Sequence, residues 1–367
     1  MAELVVKTDK IISNIKKLND FLEKRNIEWS LISKVLSGDK EVLTKIMKHP
    51  EIKRIHSIGD SRLSNLKMIK SIDPDIVTMY IKPPAVQYAK NVVTYADISL
   101  NTSFAAIEAL NEEAKKQGKV HRIVIMIELG ELREGVSRDR LIDFYGRIFN
   151  ELDNIEITGI GTNLGCMYGV EPTFDKMIQL SLYEQLLEEM FDQKLELVSG
   201  GSSITLPLAS QRKIPSTVNH FRVGEAAFLG TSPLTNKKFQ KLSTDAFEYR
   251  ANILEIEEKA YEPEGIVSEG MVGHTNEEGE ERELGEKSYK AILDFGILDV
   301  DVDEINAKDK NVHFIGTTSD LTVYDLGENK KSNQKTKFKV GDKISFNPTY
   351  MGAARLMTSK FVEKQVI

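Results

Sequence analysis

Three short segments bring together residue types that could do chemistry. Lys34 follows Leu31 and Ile32 and precedes Val35 and Leu36, so a single amine stands at the end of an apolar run. Desolvation at such a place lowers a lysine pKa and makes the amine a better nucleophile toward an aldehyde. A lysine snorkelling at a strand end is the plainer alternative. Ser199-Gly200-Gly201-Ser202-Ser203 offers N–H groups and hydroxyls that can surround a phosphate. Arg222-Val223-Gly224-Glu225 adds a glycine at which backbone can approach a ligand. Either run alone also reads as a turn.

What joins these segments is the rhythm of the elements around them. Over the first two thirds of the chain, short β-rich runs alternate with amphipathic helical stretches. The first helix, Asp9 to Arg25, places Ile11, Ile12, Ile15, Leu18, Phe21 and Leu22 on one stripe. Strand candidates follow in WSLISKVL, RIHSIG, DIVTMYI, ADISLN, HRIVIMIEL, IEITGIGTNL, LELVSGG and HFRVGEAAFLG. A helix over Ser103 to Gln117 buries Phe104, Ile107, Leu110 and Ala114, with Gly118 placed to end it. Eight strands with helices between them predict an α/β fold, a (β/α)8 TIM barrel, over residues 1–236. An open doubly wound sheet should begin with a G-x-G-x-x-G fingerprint, and none opens this chain. In such a barrel phosphate is commonly held after strands seven and eight, where the Ser199 and Arg222 runs fall.

Beyond Leu234 the rhythm changes to strands without helices: FEYRANILEIEE, SYKAILDFGIL, VHFIGTTSDLTVYDL and FKVGDKISFNP. This predicts a C-terminal all-β domain over residues 237–367. The Gly- and Glu-rich stretch between Tyr261 and Lys287 reads as a long loop. With 41% hydrophobic and 29% charged residues the composition is that of an ordinary globular protein. The net charge of -7 gives no reason to expect nucleic acid or an anionic membrane. Cys166 is the only cysteine, and no apolar run suits a signal peptide or a membrane span, so a cytoplasmic protein is expected. His49, His56, His121, His220 and His313 show no metal-ligand spacing, and no metal is expected.

The ordered set SKVLSGD, IGDSRLSNL, IELGELREGV, GIGTNLGC, SGGSSITLPL, NHFRVGEAAFLG, GTTSDLTVYD and NPTYMGAARLMTSKFV resembles the fold-type III pyridoxal-phosphate amino-acid racemases, in the ornithine-racemase-like branch related to alanine racemase. The resemblance spans nearly the whole chain. It implies pyridoxal 5'-phosphate held as a Schiff base by Lys34, a free amino acid as substrate, and a head-to-tail homodimer. Lys34, once released from the cofactor, is the implied base on one face of the α-carbon. Arg222 matches the arginine facing the pyridine nitrogen, where its near-permanent charge keeps it from donating a proton readily. Ser202, Gly224 and Tyr350 match phosphate-contacting positions, and Glu225 completes the strand-eight run. Asn163 falls beside the cofactor ring. Arg133 matches an arginine reaching toward the cofactor hydroxyl and the substrate carboxylate.

The departures bear on the substrate. Alanine racemase proper has a tyrosine near Gly38, and its second tyrosine would fall between Met271 and His274. The branch usually reads GRQDVD and SSDH, where this chain has Ile297-Leu298-Asp299 and Ser319-Asp320-Leu321. Racemisation needs proton exchange on both faces of the α-carbon. His274, Tyr168 and Cys166 are the candidates for the second face. A basic amino acid such as ornithine is the favoured substrate. A lyase acting on a β-hydroxy amino acid and a non-catalytic carrier of the cofactor are the competing readings.

Overall fold

The computed structural model describes residues 1–266, 273–275, 287–331 and 333–367. A short strand, β1 (Glu3–Val6), and helix α1 (Thr8–Glu23) lead into eight strands that close on themselves. These are β2 (Glu28–Ile32), β3 (Ser57–Asp60), β4 (Thr78–Tyr80), β5 (Ile98–Asn101), β6 (His121–Met126), β7 (Ile155–Gly161), β8 (Leu197–Ser202) and β9 (His220–Val223). All are parallel, and β9 pairs back onto β2, matching Leu31 with Val223. Helices α2 (Lys40–Met47), α3 (Leu63–Ile72), α4 (Ala89–Tyr95), α5 (Phe104–Lys116), α6 (Leu141–Glu151) and α7 (Phe174–Phe191) separate successive strands. Two short helices, α8 (Leu206–Ser210) and α9 (Glu225–Leu229), follow the last two strands. The TIM barrel expected from the alternation is therefore present.

The apolar stripes explain the docking of the helices. Ile11, Ile15, Leu18 and Leu22 of α1 are fully buried, as are Ile107, Leu110 and Ala114 of α5. Gly118 follows α5 with φ +63°, the left-handed conformation that ends helices. Alternate strand residues point inward and fill the barrel. On one side Met79, Ile98, Leu100, Val124, Met126 and Leu197 form an apolar cluster. On the other, Ser30, Ser57, Ser199, His220 and Arg222 are buried polar groups linked by hydrogen bonds. Ser30 Oγ lies 3.9 Å from Met79 Sδ, where the two halves meet.

By contacts, the chain divides into Asp9–Thr244 and a second unit formed by Met1–Thr8 with Asp245–Ile367. The sequence placed this boundary after residue 236, and both differences have a physical cause. A small ribbon, β10 (Thr231–Ser232) with β11 (Lys237–Lys238), keeps the chain on the barrel. Beyond it, the Phe239 ring meets Phe21 at 5.4 Å, and Asn14 bonds both the N–H and the C=O of Ser243. At the other end, β1 is a sheet strand and not part of the barrel wall. It pairs with β12 (Phe247–Ala260) antiparallel and with the C-terminal strand Glu363–Val366 in parallel.

The second unit contains β13 (His274–Thr275), β14 (Lys287–Leu293), β15 (Ile305–Ala307), β16 (His313–Thr317), β17 (Thr322–Asp325), β18 (Lys343–Pro348) and β19 (Glu363–Val366). Its sheet runs β13-β16-β17-β14-β12-β1-β19, with β18 joining β12 to β15. The run VHFIGTTSDLTVYDL is two strands, because Thr318 N–H bonds Leu321 C=O at 2.8 Å and turns the chain. Tyr249, Phe295 and Phe346 pack as its aromatic centre. This unit is mostly β and not all β: α10 (Tyr350–Thr358) forms where Thr349 caps Gly352 N–H and Ala353, Leu356 and Met357 supply a buried face. No helix among the described residues is long and apolar enough to cross a membrane.

Barrel closure is tightest at Gly159. A Cβ added there would lie 2.0 Å from the backbone oxygen of Leu197, which cannot move aside as a side chain can. We expect Gly159→Ala to lower stability by about 1–3 kcal/mol, the usual cost of overpacking a filled interior. A melting curve superimposable on that of the parent chain would show that β7 and β8 are not held this closely.

Candidate active site

Lys34 lies one step past β2, in a single 3-10 turn over Ser33–Leu36. Ser37 and Gly38 follow with φ +51° and +75°, and reverse the chain into α2. The turn is anchored from below by Asp60, a fully buried carboxylate at the end of β3. Asp60 accepts from the Ser33 hydroxyl at 2.9 Å, from Arg62 N–H at 2.9 Å and from Asn65 Nδ2 at 3.1 Å. The Lys34 side chain is exposed, contrary to the desolvated position expected. Its turn carries it beyond the barrel wall to the open mouth. Gly38 also has a structural reason: its φ of +75° favours glycine, and a Cβ there would press on Asn65 Oδ1 at 2.6 Å.

The two runs expected to bind phosphate are adjacent, since Ser202 pairs with Arg222 across β8 and β9. Their small residues serve different purposes. Ser199 is buried in the barrel, and a Cβ on Gly201 would lie 2.2 Å from the Phe221 ring, so that glycine is required by packing. Ser202 caps the 3-10 turn Ser203–Thr205 in a reciprocal capping box with Thr205, which leaves its hydroxyl hydrogen for another acceptor. Ser203 Oγ instead accepts from Ala226 N–H at 3.1 Å and ties the two runs together. Gly224 caps α9, so two helix starts with their surplus N–H groups adjoin at the strand ends. Glu225 accepts from Thr231 at 2.7 Å; burial pushes its carboxyl up, and the nearby Lys34 charge pulls it part of the way back.

Arg222 is the most constrained cation in the barrel. Nη1 donates to Ser199 O at 2.8 Å and to Ser199 Oγ; Nη2 donates to Thr162 O at 2.6 Å and to Asn163 Oδ1 at 2.8 Å. Four of its five N–H groups are thereby committed. Nε has no partner among the described residues. Burial lowers the guanidinium pKa to about 10, with Arg133 adding to the effect, so Arg222 stays cationic at neutral pH.

Asn163 links Arg222 to Arg133 through a residue that sequence reasoning passed over. Asn163 Nδ2 donates to the Glu134 carboxylate, which also receives both Nε and Nη2 of Arg133. Glu131, also passed over, is almost fully buried, and its carboxylate gathers the backbone of the loop after β7. It accepts from the N–H groups of Gly165 at 2.9 Å, Cys166 at 2.8 Å, Tyr168 at 2.9 Å and Val170 at 3.1 Å, and from Met167. Burial pushes this carboxyl up, but the amides of Met167, Cys166, Tyr168 and Gly165 outweigh it and hold it at about 2. The segment GELREG carried the signal: glycines at φ +114° and +158° flank two carboxylates around Arg133, the pattern of a tight loop with inward acids.

The remaining expected residues belong to the second unit. Tyr350 opens α10. His274 is exposed on β13, with its ring 6.1 Å from Phe314. Met271 lies outside the described residues. Leu298 and Leu321 are exposed on neighbouring turns, joined where Leu298 N–H bonds Ser319 C=O. Tyr168 and Cys166 are exposed on the loop that Glu131 gathers. Among the described residues no group of three or more His, Cys, Asp or Glu side chains is arranged to hold a metal ion.

Because Glu131 is held at about 2, well below the ordinary carboxylate range, the stability it contributes is fully present above about pH 5 and is lost as pH falls through 4 toward 2. Glu131→Gln should flatten this pH dependence and cost about 1–3 kcal/mol at neutral pH. Urea midpoints measured from pH 3 to pH 7 test it: equal slopes for parent and variant would mean that Glu131 does not organise the loop.

Residues 6–233 match the family model described as alanine racemase, N-terminal domain. An ornithine racemase of Acetoanaerobium sticklandii is 29% identical over 365 residues, covering 100% of this chain and 99% of that protein. A lysine racemase of Thermotoga maritima is 28% identical over 364 residues, covering 98% and 97%. The crystal structure of alanine racemase from Bartonella henselae, with covalently bound pyridoxal phosphate, superposes with a TM-score of 0.73 at 15% identity, covering 100% of this chain and 99% of that one. With eight parallel strands closed into a barrel, Lys34 just past β2 and Ser202, Arg222 and Gly224 on or just past the neighbouring β8 and β9, and a family model matched over residues 6–233, the chain belongs to the alanine racemase N-terminal domain family.

Proposed function

We propose that this chain is a pyridoxal-phosphate-dependent racemase of free amino acids, acting on a basic amino acid such as ornithine or lysine. The observation that carries the reading is the commitment of Arg222. Four N–H groups are fixed by the protein, and Nε alone remains as a cationic donor for a ring nitrogen. The donor set at the neighbouring strand ends, a serine hydroxyl and two helix starts, suits a phosphate. Lys34 follows the strand directly beside Arg222, close enough to act on Glu225. The chemistry of this donor set suits the cofactor.

Pyridoxal phosphate, when bound, supplies an aldehyde that captures the substrate amine and draws electrons from the α-carbon. Lys34 would hold the cofactor and, when not bound to it, could take or return the α-proton at Nζ. Arg222 keeps a permanent charge by the ring nitrogen; unable to give up its proton readily, it limits electron withdrawal and so disfavours transamination. Ser202, Gly224 and Glu225 would line the phosphate end at the last two strands, and Asn163 would hold Arg222 beside the ring; Tyr350 matches a phosphate-contacting position by resemblance alone. Arg133, steadied by Glu134, receives the substrate carboxylate. Cys166, Tyr168 and His274 are the candidates for the second proton carrier. The preference for a basic substrate is supported by the ornithine and lysine racemases that align along the whole chain. A cytoplasmic homodimer completes the proposal, the location supported by the single cysteine.

Pure enantiomers incubated with the holoenzyme in heavy water test this reading. We expect the mirror form of ornithine or lysine to appear with deuterium at the α-carbon, and Lys34→Ala to lower that rate by about 10²–10⁴-fold or more. Replacing the second proton carrier should abolish exchange from one enantiomer while sparing the other. Release of glycine from a β-hydroxy amino acid would move the assignment to a lyase; bound cofactor without exchange on any amino acid would leave a carrier.

A further inference from the structure

The polar column in the barrel continues below Arg222. His220 lies two residues earlier on β9, is fully buried, and bridges two serines. Nδ1 is 2.7 Å from Ser199 Oγ, and Nε2 is 2.9 Å from Ser30 Oγ. Ser30 Oγ meets Ser57 Oγ at 2.6 Å, and Ser57 Oγ lies 3.2 Å from His56 Nδ1. His56 packs edge-on against His220 with ring centres 5.1 Å apart.

The arginine sets the direction of the bonds at Ser199 and His220. A guanidinium only donates, so Ser199 Oγ accepts from Nη1. The serine's own hydrogen then has one acceptor in reach among the described residues, His220 Nδ1. Burial, with the neighbouring His56 and Arg222, holds the His220 pKa well below the ordinary histidine value, so the ring is neutral. With Nδ1 accepting, Nε2 carries the proton and donates to Ser30. Ser30 then keeps its own hydrogen for Ser57 Oγ at 2.6 Å or Met79 Sδ at 3.9 Å. Reversing the ring would leave the Ser199 hydroxyl hydrogen without an acceptor in a dry interior, a loss of about 1–3 kcal/mol for an unsatisfied buried group.

We infer that His220 is a positioning residue for Arg222: its Nε2–H tautomer turns the Ser199 hydroxyl so that serine receives Nη1, which fixes the guanidinium's rotation and leaves Nε as the donor toward the ring nitrogen of the cofactor. Among the described residues Ser199 is the one side chain hydrogen-bonded to both, and the proposed coupling runs through it. The inference rests on the cofactor reading for its consequence, but the tautomer and the coupling can be measured without turnover.

The first measurement is 15N NMR of the full chain without added cofactor, with the His220 signals assigned by their loss in H220Q. We expect a protonated Nε2 and an unprotonated Nδ1; a protonated Nδ1 overturns the inference. The second is a set of variants loaded with pyridoxal phosphate, read by the visible absorption of the bound cofactor and by α-deuterium exchange. H220F, which fills the space without bonding, should shift the absorption band and slow exchange about 10-fold. H220Q, which can accept from Ser199 and donate to Ser30, should restore most of both. S199A should reproduce the H220F changes, and the S199A/H220F pair should be no worse than S199A alone. Additive losses, or an H220F chain with unchanged spectrum and rate, would refute the coupling. If H220F does not fold, H220Q against S199A decides by the same spectral comparison. Should the parent chain bind pyridoxal phosphate yet exchange no α-proton, the racemase reading fails while the tautomer and the spectral shifts still decide the role of His220.

Discussion

A full positive charge inside the barrel is the constraint on which the rest of the structure depends. Removing a guanidinium from water costs several kcal/mol unless its donors are satisfied. Arg222 meets that demand with acceptors from two other strands: Thr162 and Asn163 just beyond β7, and Ser199 within β8. Those strands must therefore keep one relative register. The glycines around them follow from this. Gly159 lets β7 approach the Leu197 carbonyl, and Gly201 leaves room for the Phe221 ring. A pairing irregularity between Ser199 and Gly201 leaves Gly200 without a partner, and pairing resumes with Gly201 on Phe221 and Ser202 on Arg222.

The mouth of the barrel is organised by carboxylates and not by apolar packing. Asp60 holds the turn that bears Lys34, Glu131 collects the loop after β7, and Glu134 pairs with Arg133 and Asn163. Loops that must leave room for a ligand cannot fill the space with hydrophobic side chains. Charge-assisted hydrogen bonds to backbone N–H groups give the same order with less bulk. Each acid also lies next to a residue of the proposed chemistry without being required to touch a substrate. Their effects would pass through geometry, and the fixed geometry is what makes an arginine or a lysine selective.

Much of this was readable from periodicity. The apolar stripe of α1, the alternating inward residues of the eight strands and Gly118 at the end of α5 are local patterns, and local patterns survive in a linear sequence. The placement of the serine and arginine runs at the last two strands followed from the barrel itself. Less readable were the exposure of Lys34, set by a 3-10 turn that adds one step beyond the strand, and the helix α10, whose residues carry no longer amphipathic repeat. The membership of β1 in the second unit was hidden because its partners, β12 and β19, are more than two hundred residues away.

By itself, then, the order of residues determined which segments would be strands and helices, that the strands would close into a barrel, and which lysine and arginine stand at its mouth. Only the tertiary structure decided what those charges meet. Glu131 is separated from the amides it gathers by more than thirty residues, and His220 meets Ser30 across the β9–β2 seam. A hydrogen bond depends on distance and direction in space, and neither is encoded by the spacing of residues along a chain until the barrel has closed.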